Sequence, residues 1–188
     1  MKKSLIYSLF AAIILVLGAC SSDGGESTGS EKEMDHSEMD HSEMEHTQSG
    51  EVPEGLKEAE NPKYEVGSEV ILKEGHMKGM KGAKAKVTGA YDTAAYIVSY
   101  EPTTGGERVT DHKWVIQEEI KEAGDTVLEA GTKVTLEADH MEGMKGAAAE
   151  IESGEQTVVY MVDYTPTDGG EEVKNHKWVT EDELEAAE

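Results

Sequence analysis

The chain has 188 residues with 17 Lys plus Arg against 40 Asp plus Glu, a formal net charge of -23. So acidic a surface repels phosphate backbones and attracts cations, which leaves nucleic-acid binding without its usual electrostatic footing. Hydrophobic content of 37% with 5% aromatic is lean for one large core, and the length suits one or two small domains plus unstructured sequence. A single cysteine excludes an intrachain disulfide framework.

The chain opens on Met1-Lys2-Lys3, followed by an apolar run from Leu5 to Leu17 and then Gly18-Ala19-Cys20. At 1.5 Å per residue about 13 apolar residues cannot cross a roughly 30 Å hydrocarbon layer, so residues 1–19 read as a secretory signal peptide. Leu17, two small residues and Cys20 resemble the lipobox of bacterial lipoproteins. This resemblance implies that Cys20 is acylated, becomes the first mature residue and holds the protein to the outer face of the cell membrane. A lipidated Cys20 cannot act as a thiolate ligand or nucleophile, so a blue-copper centre is excluded.

Residues 20–62 shift to Ser, Gly, Glu and Asp, a composition that buries too little apolar surface to offset chain ordering, and they read as a disordered linker. Within it a Met-acid-His unit recurs every five residues, as Met34-Asp35-His36, Met39-Asp40-His41 and Met44-Glu45-His46. A solvated acidic tail gives methionine nothing to pack against. Thioether sulfur prefers Cu(I), and imidazole accepts Cu(I) or Cu(II), so the pattern suits copper capture. Zinc or nickel on the histidines, or a slipped low-complexity repeat with no ligand role, are the alternatives.

The remainder repeats itself at an offset of 64 residues. Residues 64–123 align without gaps on 128–187 with 28 identities in 60 positions, which marks a tandem duplication with domains at 63–123 and 127–188. In each copy Val66 to Leu72, or Ala130 to Leu136, alternates apolar and polar side chains, and so does Tyr96 to Tyr100, or Tyr160 to Tyr164. Both segments predict half-buried strands. Gly105-Gly106 and Gly169-Gly170 supply turns before a strand through Val109 or Val173. Each copy ends on a strand with Lys113-Trp114-Val115 or Lys177-Trp178-Val179, then an acidic stretch long enough for one helical turn. Short strands and Gly-rich turns in about 60 residues predict an all-β fold of two small SH3-like barrels.

Between the first two strands lie His76-Met77-Lys78-Gly79-Met80 and His140-Met141-Glu142-Gly143-Met144. The histidine and both methionines recur in both copies, whereas Lys78 and Glu142 reverse charge. One imidazole and two thioethers on a Gly-loosened loop suit a Cu(I) site of His76, Met77 and Met80, and a second of His140, Met141 and Met144. Core packing of the methionines, with a capping role for the histidine, is the competing explanation. The second recurring group is His112-Lys113-Trp114 and His176-Lys177-Trp178, where a core role for the Trp and neighbour bonds for the His compete with an accessory role for His112, Trp114, His176 and Trp178, in which the Trp ring or the His lies over the Met loop and shields Cu(I) by a cation-π contact.

The lipobox, the Met and His linker and two copies of HMxGMxGA followed by Tyr-x-Pro, Gly-Gly and HKWV resemble the YdhK family of Gram-positive lipoproteins, over nearly the whole chain from Tyr64. The resemblance, to a family with relatives associated with copper tolerance, implies copper binding outside the cytoplasm at His76, Met77 and Met80 and at His140, Met141 and Met144; the expected function is sequestration, tolerance or relay, with a copper exporter or chaperone as a candidate partner. Asp111 precedes the first HKW and Asn175 the second, which puts the equivalence of the two copies in question. An enzyme is not expected, since the chain has no Gly-x-Ser-x-Gly, no HExxH and no free cysteine nucleophile. The rival reading is a cell-wall or protein interaction module indifferent to copper, and no spaced Asp loop supports calcium.

Overall fold

The computed structural model of the chain describes residues 49–121 and 123–187. The signal peptide, Cys20 and the linker residues Met34, His36, Met39, His41, Met44 and His46 lie outside the described residues. Among the described residues no helix is long and apolar enough to cross a membrane.

The all-β expectation holds. Among the described residues eight strands form one sheet: β1 (Lys57–Glu58), β2 (Glu69–Leu72), β3 (Lys84–Glu101), β4 (Val109–Ile116), β5 (Lys133–Thr135), β6 (Ala148–Tyr164), β7 (Val173–Thr180) and β8 (Leu184–Ala186). Single 3-10 turns at Gln117–Glu119 and Glu181–Glu183 occupy the acidic stretches after β4 and β7. The strand expected through Val109 and the one expected at Lys113-Trp114-Val115 are a single strand, β4. Lys57 and Glu58, which composition assigned to the linker, pair with Asp92 and Tyr91 of β3.

The barrel expectation is corrected by the strand order. The path β5-β6-β3-β2-β8 is open, and the sheet does not close on itself. Its axis is the antiparallel pairing of β3 with β6 along their whole lengths, from Ala85 opposite Tyr164 to Glu101 opposite Ala148. Thr93 lies opposite Thr157, its own equivalent at the 64-residue offset, so a pseudo-dyad passes between them. Register shifts flank the dyad at Thr88 and Glu152, another equivalent pair. An extra residue in a strand switches its alternation, so Ala85, Val87 and Ala90 all pack into one cluster despite their mixed parity.

The far edge of β3 is shared by β2, β1 and β4, and that of β6 by β5 and β7. The last segment of each repeat then crosses over. β8 pairs with β2, placing Leu184 opposite Leu72, and Ile120 bridges to Leu136. The core therefore divides by halves of repeats. One cluster joins Val70, Leu72, Met80 and Val87 to Tyr160, Val162, Tyr164 and Leu184. Its counterpart joins Tyr96, Val98, Tyr100 and Ile120 to Leu136, Met144 and Ile151. A third, around the dyad, holds Ala95, Trp114, Ile116, Val159, Met161 and Trp178. A 60-residue repeat alone would bury too little apolar surface for a secure core, and the exchange of halves joins two such cores through one sheet.

This arrangement sets which substitutions interact. Leu72→Ala, Leu184→Ala and Leu136→Ala should each cost about 2–5 kcal/mol in urea unfolding. Leu72→Ala and Leu184→Ala, from different repeats but one cluster, should couple by about 0.5–3 kcal/mol, whereas Leu72→Ala and Leu136→Ala, equivalents in different clusters, should be additive within about 0.5 kcal/mol. Additivity of the first pair with coupling in the second would contradict the exchanged core.

Candidate functional site at the junction of the repeats

The two HMxGM loops reach across the pseudo-dyad. Gly79 and Gly143 adopt φ of 72° and 78°, the left-handed region that glycine enters without penalty. A Cβ at Gly79 would meet Pro166 and Asp168, and one at Gly143 would meet Pro102 and Thr104. Each loop docks on the turn of the other repeat, where Thr167 N–H donates to Gly79 O at 2.8 Å and Thr103 N–H to Gly143 O at 2.9 Å. The fixed glycines in both copies thus answer to close backbone approach.

This docking decides which of the expected ligands meet. His76, Met77, His112, His140, Met141 and His176 line one cleft of about 30 Å³, together with Asp111, Lys113 and Lys177. Met80 and Met144 are fully buried and belong to the two outer apolar clusters. Trp114 and Trp178 are buried around the dyad, away from the cleft. The loop histidine of one repeat therefore faces the His-Lys-Trp histidine of the other. His76 Nε2 stands 3.0 Å from His176 Nε2, with the rings stacked at 5.1 Å, and the His112 and His140 rings lie 6.3 Å apart.

Around these pairs, Tyr164 and Tyr100 set their rings edge-on to His176 and His112 at 5.6 and 5.8 Å. Tyr164 also donates its hydroxyl to Met77 Sδ at 3.7 Å. Asp111 and Asn175 both have positive φ, at 52° and 48°. Asp and Asn are the non-glycine residues most tolerant of that region, so their difference leaves the backbone of the two copies alike.

Two buried carboxylates anchor the core around the dyad, and one of them, Glu119, also reaches the cleft. Glu119 Oε2 accepts from Trp178 Nε1 at 3.1 Å and from the Ile116 amide at 3.2 Å, and its Oε1 is 2.7 Å from His140 Nε2. Glu183 Oε2 accepts from Trp114 Nε1 at 2.7 Å and the Thr180 amide at 2.9 Å. Each Trp of one repeat is thus anchored by the acidic turn of the other. Ligand-type reasoning passed over these residues, although Glu119 and Glu183 are among the identities between the repeats.

Among the described residues no group of three or more His, Cys, Asp or Glu stands close enough to hold a metal ion. The donor set at the cleft is instead imidazole pairs with thioethers. Two nitrogens bound to one metal at about 2.0–2.1 Å lie about 2.9 Å apart at a right angle and about 3.3 Å apart at the tetrahedral angle. The 3.0 Å between His76 and His176 falls in that span. His140 Nδ1 is buried and has no hydrogen-bond partner among the described residues, so it offers a further nitrogen without a competing bond.

One family model matches the chain twice, over residues 66–117 and 130–181. The chain belongs to the DUF1541 family, described as proteins of unknown function. It is 62% identical over 187 residues to YdhK, an uncharacterized protein of Bacillus subtilis strain 168, covering 98% of this chain and 90% of that one. A crystal structure of the DUF1541 family protein YdhK from Bacillus subtilis is 68% identical with a TM-score of 0.73, covering 81% of this chain and 100% of the other. A solution NMR structure of the YdhK C-terminal domain is 71% identical with a TM-score of 0.62, covering 65% of this chain and 92% of the other. The family matches bracket the two duplicated units and include all four cleft histidines.

Burial first, and Asp168 second, pushes the Tyr164 hydroxyl up to about 12. A folded-state value above the unfolded one near 10 means that the native state keeps its proton longer, so this contribution is complete below pH 10 and is lost as pH rises toward 12. Tyr96, Tyr100 and Tyr160 are raised in the same sense, chiefly by burial. The unfolding temperature should fall between pH 10 and 12. Tyr164→Phe should flatten that decline, and an unchanged slope would count against the assignment.

Proposed function

We propose that the chain is a membrane-held lipoprotein that binds copper outside the cytoplasm, Cu(I) ahead of Cu(II), for sequestration, tolerance or relay. Copper is its cargo. Each half-site pairs the loop histidine and adjacent methionine of one repeat with the His-Lys-Trp histidine of the other: His76, Met77 and His176 on one side, His140, Met141 and His112 on the other.

The observation that carries this reading is the meeting of His76 Nε2 and His176 Nε2 at 3.0 Å in a cleft that Met77 also lines. A nitrogen pair at that separation with a soft sulfur at hand favours a soft monovalent cation over the oxygen-seeking Mg or Ca. The cleft's accessible space of about 30 Å³ suits an ion far better than an organic ligand, for which about 300 Å³ is the usual minimum. The net charge of -23 raises the local concentration of cations. An uncharged thioether gives up little solvation to bind Cu(I).

The ligand set differs from the one that sequence spacing suggested, because Met80 and Met144 are committed to hydrocarbon contacts. The membrane anchor at Cys20 and capture by Met34, His36, Met39, His41, Met44 and His46 remain part of the proposal on sequence grounds. A copper exporter or chaperone would receive the ion.

Anaerobic titration of the purified chain with Cu(I), in competition with a colorimetric chelator, tests the assignment. His176→Ala should weaken one half-site by at least about tenfold, as should Met77→Leu. Met80→Leu, a volume-conserving core change costing under about 1.5 kcal/mol of stability, should leave copper affinity intact. Wild-type affinity in both His176→Ala and Met77→Leu would overturn the half-site, and no Cu(I) uptake by the wild type would overturn the copper reading.

A further inference from the structure

Glu119 is 5% exposed and His140 is 5% exposed, so the contact between them is made out of reach of bulk water. Oε2 of Glu119 is already taken by two donors, Trp178 Nε1 and the Ile116 amide, and Oε1 faces His140 Nε2 at 2.7 Å. A carboxylate only accepts, so the proton of that third bond belongs to the imidazole nitrogen. A neutral imidazole protonated at Nε2 carries its lone pair on Nδ1. The Nδ1 of His140 is the buried atom without a hydrogen-bond partner among the described residues, in a ring that lines the cleft with Met141 and His112. In the other half-site the nitrogen that meets its partner is Nε2 of His76.

We propose that Glu119 is a positioning residue that holds His140 as the Nε2-protonated tautomer, making Nδ1 the atom this half-site presents to a soft cation. The two halves of the cleft then bind through different ring nitrogens despite their shared sequence. The identity of the cation rests on the copper reading above, whereas the tautomer does not. A hydrogen bond from the far nitrogen of a ligating histidine to a carboxylate fixes ring orientation and strengthens the donor, and its loss weakens metal binding by about 10- to 100-fold.

Glu119→Gln gives the test a direction. The two N–H donors of Trp178 and Ile116 can be met only by the new amide oxygen, so the amide NH2 must turn to His140 Nε2. An NH2 donor needs a lone pair there, which drives the ring proton to Nδ1 and closes that atom to a cation. Long-range proton-nitrogen NMR on the full chain labelled with nitrogen-15 in histidine reads the tautomer directly. At neutral pH wild-type His140 should show an unprotonated Nδ1 and a protonated Nε2. Glu119→Gln should exchange them and weaken Cu(I) binding at the His140 half-site by about 10- to 100-fold. Glu183→Gln, the equivalent change in the other repeat, should leave the His140 signals in place.

A wild-type His140 protonated on Nδ1 would overturn the proposal, and this measurement needs no variant that might misfold. Glu119→Gln with the wild-type tautomer and affinity would also overturn it, as would a reversed tautomer with unchanged Cu(I) affinity. Should the wild type take up no Cu(I), the copper reading fails and the tautomer spectrum still decides what Glu119 does.

Discussion

Everything at the cleft depends on the antiparallel register of β3 against β6. Placing Thr93 opposite Thr157 makes the duplication a two-fold object, and a two-fold object brings non-equivalent parts of its copies together away from the axis. The loop after β2 thus meets the turn before β7, and the loop after β5 meets the turn before β4. A slip of one residue would turn the apolar faces of both long strands toward solvent, so the buried clusters enforce the register. The site inherits its precision from core packing.

The tethering of each half to the other is chemical as well as apolar. Trp114 and Trp178 bring large ring surfaces to the dyad, and each hands its indole N–H to a glutamate from the opposite repeat. A buried indole donor left unsatisfied costs about 1–3 kcal/mol, so the glutamates permit the tryptophans to be buried at all. Glu119 additionally touches His140, which couples the interior to the cleft wall. Copper chemistry, on this reading, uses atoms whose directions are set by groups never exposed to the ion.

Part of this was legible in the residues themselves. The 64-residue offset is exact, apolar alternation located β2, β5 and the ends of the long strands at Tyr96 to Tyr100 and Tyr160 to Tyr164, and turn residues with the Lys-Trp-Val groups located β4 and β7. It missed Lys84 to Ala95 as strand, because Lys84-Ala85-Lys86 is weakly apolar and the bulge at Thr88 breaks the period-two signal. The barrel expectation failed for a related reason. A repeat was assumed to fold on itself, whereas each long strand is continuous through two apolar clusters and pairs with its counterpart. At the site, His76, Met77, His140 and Met141 were visible as recurring ligand types, and His112 and His176 as accessories. Met80 and Met144 look identical to Met77 and Met141 in sequence, since a thioether suits a core and a soft ion equally.

The sequence by itself determined that the chain is duplicated, acidic and rich in strands, and that methionine and histidine recur where surface composition does not call for them. These are properties of single residues and short spacings, and short-range sterics and burial preferences express them directly. Only the tertiary structure decided that the partners of each histidine come from the other repeat, 100 residues away for His76 and His176. Pairing of that kind is settled by strand register and by which apolar faces can be buried together, and both depend on the whole chain.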